Sequence, residues 1–258
     1  MSAIRVLAAL AAVMATLVGL DELLGALGAQ GALREMVSTG LVALAMVLWP
    51  RWFVTVLPHL IPGKKRLSDP VPLERVTRLL RSFRAETAGM ADPKVILVRS
   101  DKPAAMATGV PARSAIIVSS GLLEQLDDCE LRGTLAHECA HVVGRHLMVT
   151  SGFLATLFFA KAILGPLGLP ATLVLLLLYL WIVRRNEFDA DKRGALMVGV
   201  EDMQQTLRRF QSLHKECRWM NLPWVTILST HPGFGRRIRA LDSASLKFAK
   251  KNSPRTPK

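Results

Sequence analysis

The sequence predicts a mainly α-helical membrane protein with a small β-sheet, built from two apolar helical hairpins and a polar domain between and after them. Three observations carry this. First, 51% of the 258 residues are hydrophobic and the mean hydropathy is +0.32 although 21% are charged. Apolar blocks must therefore alternate with polar ones. Second, the apolar residues gather into paired runs of roughly transmembrane length, about four helices in all. Third, short β-branched runs bounded by Gly, Pro, Asp and Ser occur within the first polar block only. The net charge of +13 permits nucleic acid or anionic lipid as a neighbour. With apolar runs flanked by arginine and lysine, lipid is the better explanation, and no nucleic-acid module is present. The three cysteines, Cys129, Cys139 and Cys217, form an odd set without ligand spacing, and read as free thiols of a reducing compartment.

Residues 1–61 form the first hairpin. Ala3–Leu20 is apolar apart from Arg5, and Met36–Trp49 follows after a net acidic connection containing Asp21, Glu22, Arg34 and Glu35. A signal peptide is the competing reading of the first run, but a second run so close behind it favours a hairpin. Trp49, Arg51 and Trp52 suit a membrane interface, and Lys64-Lys65-Arg66 follows. By the positive-inside rule, the N-terminus and the region after residue 50 are cytoplasmic.

Residues 62–146 are the first part of the polar domain. Asp69 is placed to cap a helix with Pro70 and Pro72 in its first turn. Leu73, Val76, Leu80 and Phe83 make its apolar stripe, and Arg75, Arg78, Arg81 and Arg84 read as a solvated or headgroup-facing surface. Val95–Val98 and Ala115–Val118 are predicted strands, with Ala104–Gly109 a third between them. Such a sheet serves either as ordinary core or as an edge on which an extended peptide pairs. Asp127 or Asp128 then starts a helix, with Asp127 and Glu130 spaced as a capping box. This helix is expected to run without a breaker toward Ser151. Residues 147–183 are apolar apart from Lys161, and Gly165–Pro170 in the middle marks a second hairpin. Arg184-Arg185 returns the chain to the positive side and opens the second polar part, 184–245, which a basic tail, 246–258, follows.

The chemistry centres on His137-Glu138-Cys139-Ala140-His141. On a helix, histidines four apart share a face and can hold one Zn²⁺, while Glu138 sits beside them to act on a water rather than on the metal. Cys139 points about 160° away and reads as a buried helix position. A third ligand is needed. In the longer pattern HExxHxxGxxH, Gly144 fits but Leu147 stands where histidine belongs. His146 falls one residue short, an error of about 100° on a continuous helix, and is expected to face elsewhere as a structural residue. The other option is a carboxylate from a second helix. Glu187 and Asp191, four apart, suit a zinc ligand and an acceptor for a ligand histidine's N–H. Asp189 points elsewhere and reads as solvated.

HExxH, an apolar hairpin, Glu187-x-x-x-Asp191, and then Ser229-Thr230-His231-Pro232 with Arg237-Ile238 together resemble the HtpX-like integral membrane zinc metallopeptidases. These are gluzincins related to the type 1 CAAX prenyl protease, and the resemblance runs from about residue 90 to 242. It implies a cytoplasmic zincin-like catalytic domain holding one Zn²⁺ per chain on His137, His141 and Glu187. Glu138 is then the catalytic acid/base and Asp191 the outer support. His231 lies on a loop near the zinc, to stabilise the oxyanion or fill the open position at rest, and Arg237 either orients this loop or a carboxylate or forms a surface salt bridge. Ala104–Gly109 resembles the family's substrate edge strand, usually NAFATG, so Ala105, Met106, Ala107, Thr108 and Gly109 are expected to line the substrate. Ala104 and Met106 depart from that pattern. The implied protein is a multi-pass endopeptidase of the bacterial cytoplasmic (inner) membrane, with active site and both termini on the cytoplasmic side. Its implied substrates are membrane proteins, their cytoplasmic loops or unfolded polypeptides, in quality control or stress response. The alternative is a non-catalytic membrane sensor or scaffold with a closed zinc site. Val200, Met203, Leu207, Phe210 and Leu213 recur at helical spacing as a packing face.

Overall fold

The structure is a computed structural model that describes residues 69–87, 89–163, 168–213 and 231–252, with a few isolated positions between 26 and 45. The expected hairpin over 1–61 lies outside the described residues apart from those positions, as do His59, His214 and Cys217.

Helix α1, Pro70–Ser82, starts as its sequence requires. Asp69 Oδ1 accepts the Val71 N–H at 3.0 Å, and Pro70 occupies a first-turn position whose missing N–H would have had no helical partner. Its buried face is Val76, Leu79, Leu80 and the following Phe83, whereas Leu73, expected in the stripe, is exposed. Arg78, Arg81 and Arg84 are exposed as expected, whereas Arg75 is half-buried. Arg75 donates to Asp128 Oδ1 (2.7 Å) and to the carbonyls of Leu123 and Leu126 (both 2.8 Å), and Arg78 donates to Asp128 Oδ2 (2.8 Å). They tie α1 to the next helices.

Three strands follow: β1, Lys94–Val98; β2, Ala105–Val110; and β3, Arg113–Ser119. The order is β1-β3-β2, with β1 parallel and β2 antiparallel to β3. The central strand has the most buried residues, and β2 is an edge. A short helix, α2 (Ser120–Gln125), leads to α3 (Asp128–Val143). Both halves of the expected capping box are present: Asp127 Oδ1 accepts the Glu130 N–H (2.8 Å) and Glu130 Oε2 accepts the Asp127 N–H (3.2 Å). Leu131, Leu135, Ala136, Cys139 and Ala140 of α3 join Ile116 and Val118 of β3 and the α1 face in one core. Burial of this apolar surface is the main force holding the sheet against the metal-bearing helix.

The expectation of an unbroken helix toward Ser151 is corrected. α3 ends at Gly144, and Arg145 adopts φ +54°, a left-handed turn residue. Helix α4, His146–Ile163, restarts in a new direction and packs against α5, Gly168–Val198. α5 is 31 residues long and passes without interruption through Arg184-Arg185 into Glu187 and Asp191. Helix α6, Val200–Leu213, follows Gly199, whose φ is +99°. Met203 and Leu207 of α6 pack with Ala195 of α5 and Leu241 of α7, Phe234–Asn252, as the predicted packing face requires. α7 carries helix beyond residue 245, where the basic tail was expected to begin.

The fold is thus mainly helical with a small three-stranded mixed sheet. Among the described residues no helix is long and apolar enough to cross a membrane. The apolar part of α5 ends at Arg184-Arg185, after which the helix belongs to the polar core. Upstream of that pair, Leu173 and Val174 are 60% and 64% exposed, and Leu176, Leu177, Leu178 and Trp181 are also exposed.

Candidate metal centre

α3 and α5 lie side by side, and each contributes one face to a shared site. His137 Nε2 and His141 Nε2 are 3.1 Å apart. Glu187 brings Oε1 to 3.4 Å from His141 Nε2 and Oε2 to 3.7 Å from His137 Nε2. Three donors about 2.0–2.1 Å from one tetrahedral ion would stand about 3.3 Å apart. Two nitrogens and a carboxylate at 3.1–3.7 Å match that spacing, so the donor set fits zinc in number, type and separation. These three are the only group of such residues among the described ones with ligand atoms within 4.8 Å of one another.

Asp191, one turn beyond Glu187, lies with Oδ1 3.0 Å from His137 Nδ1, the position from which it accepts that ring's outer N–H and turns Nε2 toward Glu187. Arg237 of α7 donates to both oxygens of Asp191 (Nε to Oδ2 2.7 Å, Nη2 to Oδ1 2.6 Å) and places Nη1 3.2 Å from Glu187 Oε2. A surface position for Arg237 is excluded, because its side chain is 8% exposed. The pairing decides the charge states. Burial opposes ionisation of Asp191, but the Arg237 bonds outweigh it and hold the carboxyl below its usual range. Glu187 is lowered as well: burial is again overcome, here by His141 and His231. Burial disfavours His141's charged form, yet its bond and attraction to Glu187 leave it raised.

Glu138 stands beside the three donors on the side of the sheet. Its Oε2 accepts the Ala107 N–H of β2 at 2.6 Å. Val110 and Arg113 flank a two-residue turn, so the alternation of antiparallel pairs directs the Ala105, Ala107 and Gly109 backbone groups away from β3. Met106 is 47% exposed, whereas Thr108 and Gly109 are buried. The free edge of β2 therefore runs past Glu138.

The remaining sequence candidates fall as follows. His231 is exposed, with Nδ1 3.4 Å from Glu187 Oε2, and that bond is the main reason its pKa is raised. Cys139 is buried away from the site, and burial pushes its thiol up to about 12. His146 does not reach the three donors, but its reading as a residue facing elsewhere is corrected. Its Nδ1 is 2.9 Å from His141 Nδ1, and its Nε2 is 3.0 Å from Asp189 Oδ2. Asp189, expected to be merely solvated, holds this histidine and Arg193. The signal for His146 was Gly144, which ends α3 and invalidates any angle extrapolated past it.

Residues 73–245 match peptidase family M48. The chain is 37% identical to a protease HtpX homolog of Aquifex aeolicus over 116 residues, covering 45% of this chain and 36% of that protein. It is 29% identical to the Bacillus subtilis homolog over 241 residues, 78% of this chain and 79% of the relative. For the Burkholderia ambifaria homolog the values are 30% over 210 residues, 73% and 72%. The crystal structure of S. mikatae Ste24p superposes with a TM-score of 0.66 at 19% identity, covering 93% of this chain and 64% of that one. The chain thus spans under two thirds of the Ste24p chain, and its match to the Aquifex protein is confined to about a third of that relative.

Proposed function

The chain belongs to peptidase family M48 and carries a metallopeptidase's HxxxH and glutamate metal group, and from that premise we propose that it is a zinc endopeptidase working at a membrane surface. The observation that carries the proposal is the convergence of His137, His141 and Glu187 within 4.8 Å, with Glu138 between them and an open strand edge. His137, His141 and Glu187 hold one zinc per chain, and Asp191 orients His137. When bound, zinc supplies a Lewis acid that polarises a scissile carbonyl and brings a water's pKa to roughly 7.

The chain's own residues do the rest. An extended substrate pairs along the outer edge of β2, on the outward backbone groups of Ala105, Ala107 and Gly109, the Ala107 N–H passing from Glu138 to the substrate, with Met106 and Thr108 flanking. The peptide bond then lies beside Glu138, which takes the attacking water's proton and delivers it to the leaving amine. His231, at the mouth of the site, donates to the developing oxyanion.

The exposed leucines of α5 support a place in lipid, because they form an apolar surface leading directly into Arg184-Arg185. Arg185 lies 5.3 Å from the Trp181 ring centroid, a pairing suited to an interface. On this reading the protein is a multi-pass protein of the bacterial cytoplasmic membrane, its site on the cytoplasmic side. Its substrates are membrane proteins or unfolded polypeptides presented there, as quality control requires. Glu138→Gln tests the mechanism: zinc content is retained while cleavage of an unfolded membrane substrate falls by at least ~100-fold. Undiminished cleavage in that variant sinks it, and parent protein that binds zinc without any turnover leaves the sensor or scaffold reading in its place.

A further inference from the structure

His146 is 6% exposed, and both of its ring nitrogens are engaged. The backbone is shaped to bring it there. α3 stops at Gly144, Arg145 takes φ +54°, and the first residue of α4 folds back under the last turn of α3. A Cβ on residue 144 would lie 2.4 Å from His146 Nε2, so the glycine makes room for the ring. The His141 and His146 rings then meet edge to face, 5.0 Å between centroids at 81°.

We propose that His146, backed by Asp189, is a positioning residue that fixes the orientation and tautomer of the metal ligand His141. The proposal rests on the metal-centre reading above. With His141 Nε2 turned toward His137 and Glu187, its one ring proton is on Nδ1, which donates to His146 Nδ1. His146 then carries its proton on Nε2, which donates to Asp189 Oδ2. Each link has one donor and one acceptor, and the chain ends on a carboxylate held by Arg193. A side chain needed only for packing would not require this matched sequence of protons. His137 is served in parallel by Asp191 directly. α5 therefore supplies one ligand, Glu187, and anchors both others, through Asp191 and through Asp189.

The test uses the purified full chain, stripped of metal and titrated with Zn²⁺ against a chelating dye. Co²⁺ absorption in the visible gives a second, spectroscopic readout. His146→Phe fills the space but accepts no hydrogen bond, and is expected to weaken zinc about 10–100-fold and to alter the Co²⁺ bands. His146→Gln, whose amide oxygen accepts from His141, recovers most of the affinity and a parent-like spectrum. Asp189→Ala, a partly exposed site that spares the fold, weakens zinc several-fold and decides the matter if the phenylalanine variant does not fold. Equal losses in the Phe and Gln variants, or Asp189→Ala within twofold of the parent, overturn the proposal. A parent that binds no zinc, or that keeps its affinity in Glu187→Gln, overturns the metal-centre reading itself.

Discussion

Replacing Arg237 by methionine is expected to destabilise the metal-free protein more than the zinc-loaded one. Arg237, Asp191 and Glu187 have side chains only 8%, 2% and 7% exposed, so solvent screens little of their interaction. The substitution removes two hydrogen bonds to Asp191 and one close contact to Glu187, and leaves two buried carboxylates without their shared cation. Removing one partner of a buried pair destabilises by about 3–5 kcal/mol. Asp191 still faces the His137 N–H and Glu187 still faces His141, which favours the lower end of that range. For a domain of this size the loss corresponds to a fall of roughly 6–20 °C in Tm. With zinc bound, the Glu187 charge is compensated by the ion, and only the Asp191 part of the loss remains. Arg237→Lys keeps a positive charge but not the two-pronged geometry, and falls between. Thermal unfolding by circular dichroism, with and without Zn²⁺, measures all of this. A fall of less than about 1 kcal/mol, or identical losses in the two metal states, refutes the reasoning.

Gly121→Ala places a methyl 2.3 Å from the Asp101 carbonyl oxygen, a backbone atom that cannot swing aside. The loop before β2 must move and the Gly121 N–H bond to Ser100 O (2.8 Å) weakens, so about 1–3 kcal/mol of stability is lost in denaturant unfolding. Parent-like stability contradicts that packing. Asp128 is held below its usual 3.8 chiefly by its hydrogen bond to Arg75, with burial opposing. Its folded pKa is depressed, so its contribution is complete above the unfolded value and is lost as pH falls through the folded one. Asp128→Asn is therefore less stable than the parent at pH 7, and the gap narrows as the pH falls through 3.8 and closes below the lowered folded value. A gap that stays constant over that window rules out the ion pair as its source.

Both halves of the metal site were legible in the sequence because each is written in local helical spacing. His137 and His141 are four apart, as are Glu187 and Asp191, and a helix turns such pairs to one face. The capping box at Asp127 and the three strands were legible for the same reason: their signals span a few residues. Of the supports, Asp191 was legible in the same way, but the burial of Arg237 was not. Arg237 reaches Asp191 across 46 positions, and its burial depends on α7 docking, which no local pattern encodes. Helical spacing misplaces His146 because the helix does not continue through Gly144. One residue at positive φ redirects everything after it. Leu73 is exposed and Leu79 buried for a different reason, since the stripe position depends on what α1 packs against.

The unbroken course of α5 acts as a gauge between its apolar surface and its chemistry. From Trp181 to Glu187 the helix advances about 9 Å, with no joint in which that length could change. An added residue between Arg185 and Glu187 would swing the carboxylate about 100° away from His141 as well as lifting it. If α5 rests in lipid as proposed, the reachable peptide bond is set by its height above the bilayer. A tethered substrate would then be cut where its chain first extends far enough to lie along β2. Position along the tether, more than the identity of the residues around the bond, would select the point of cleavage.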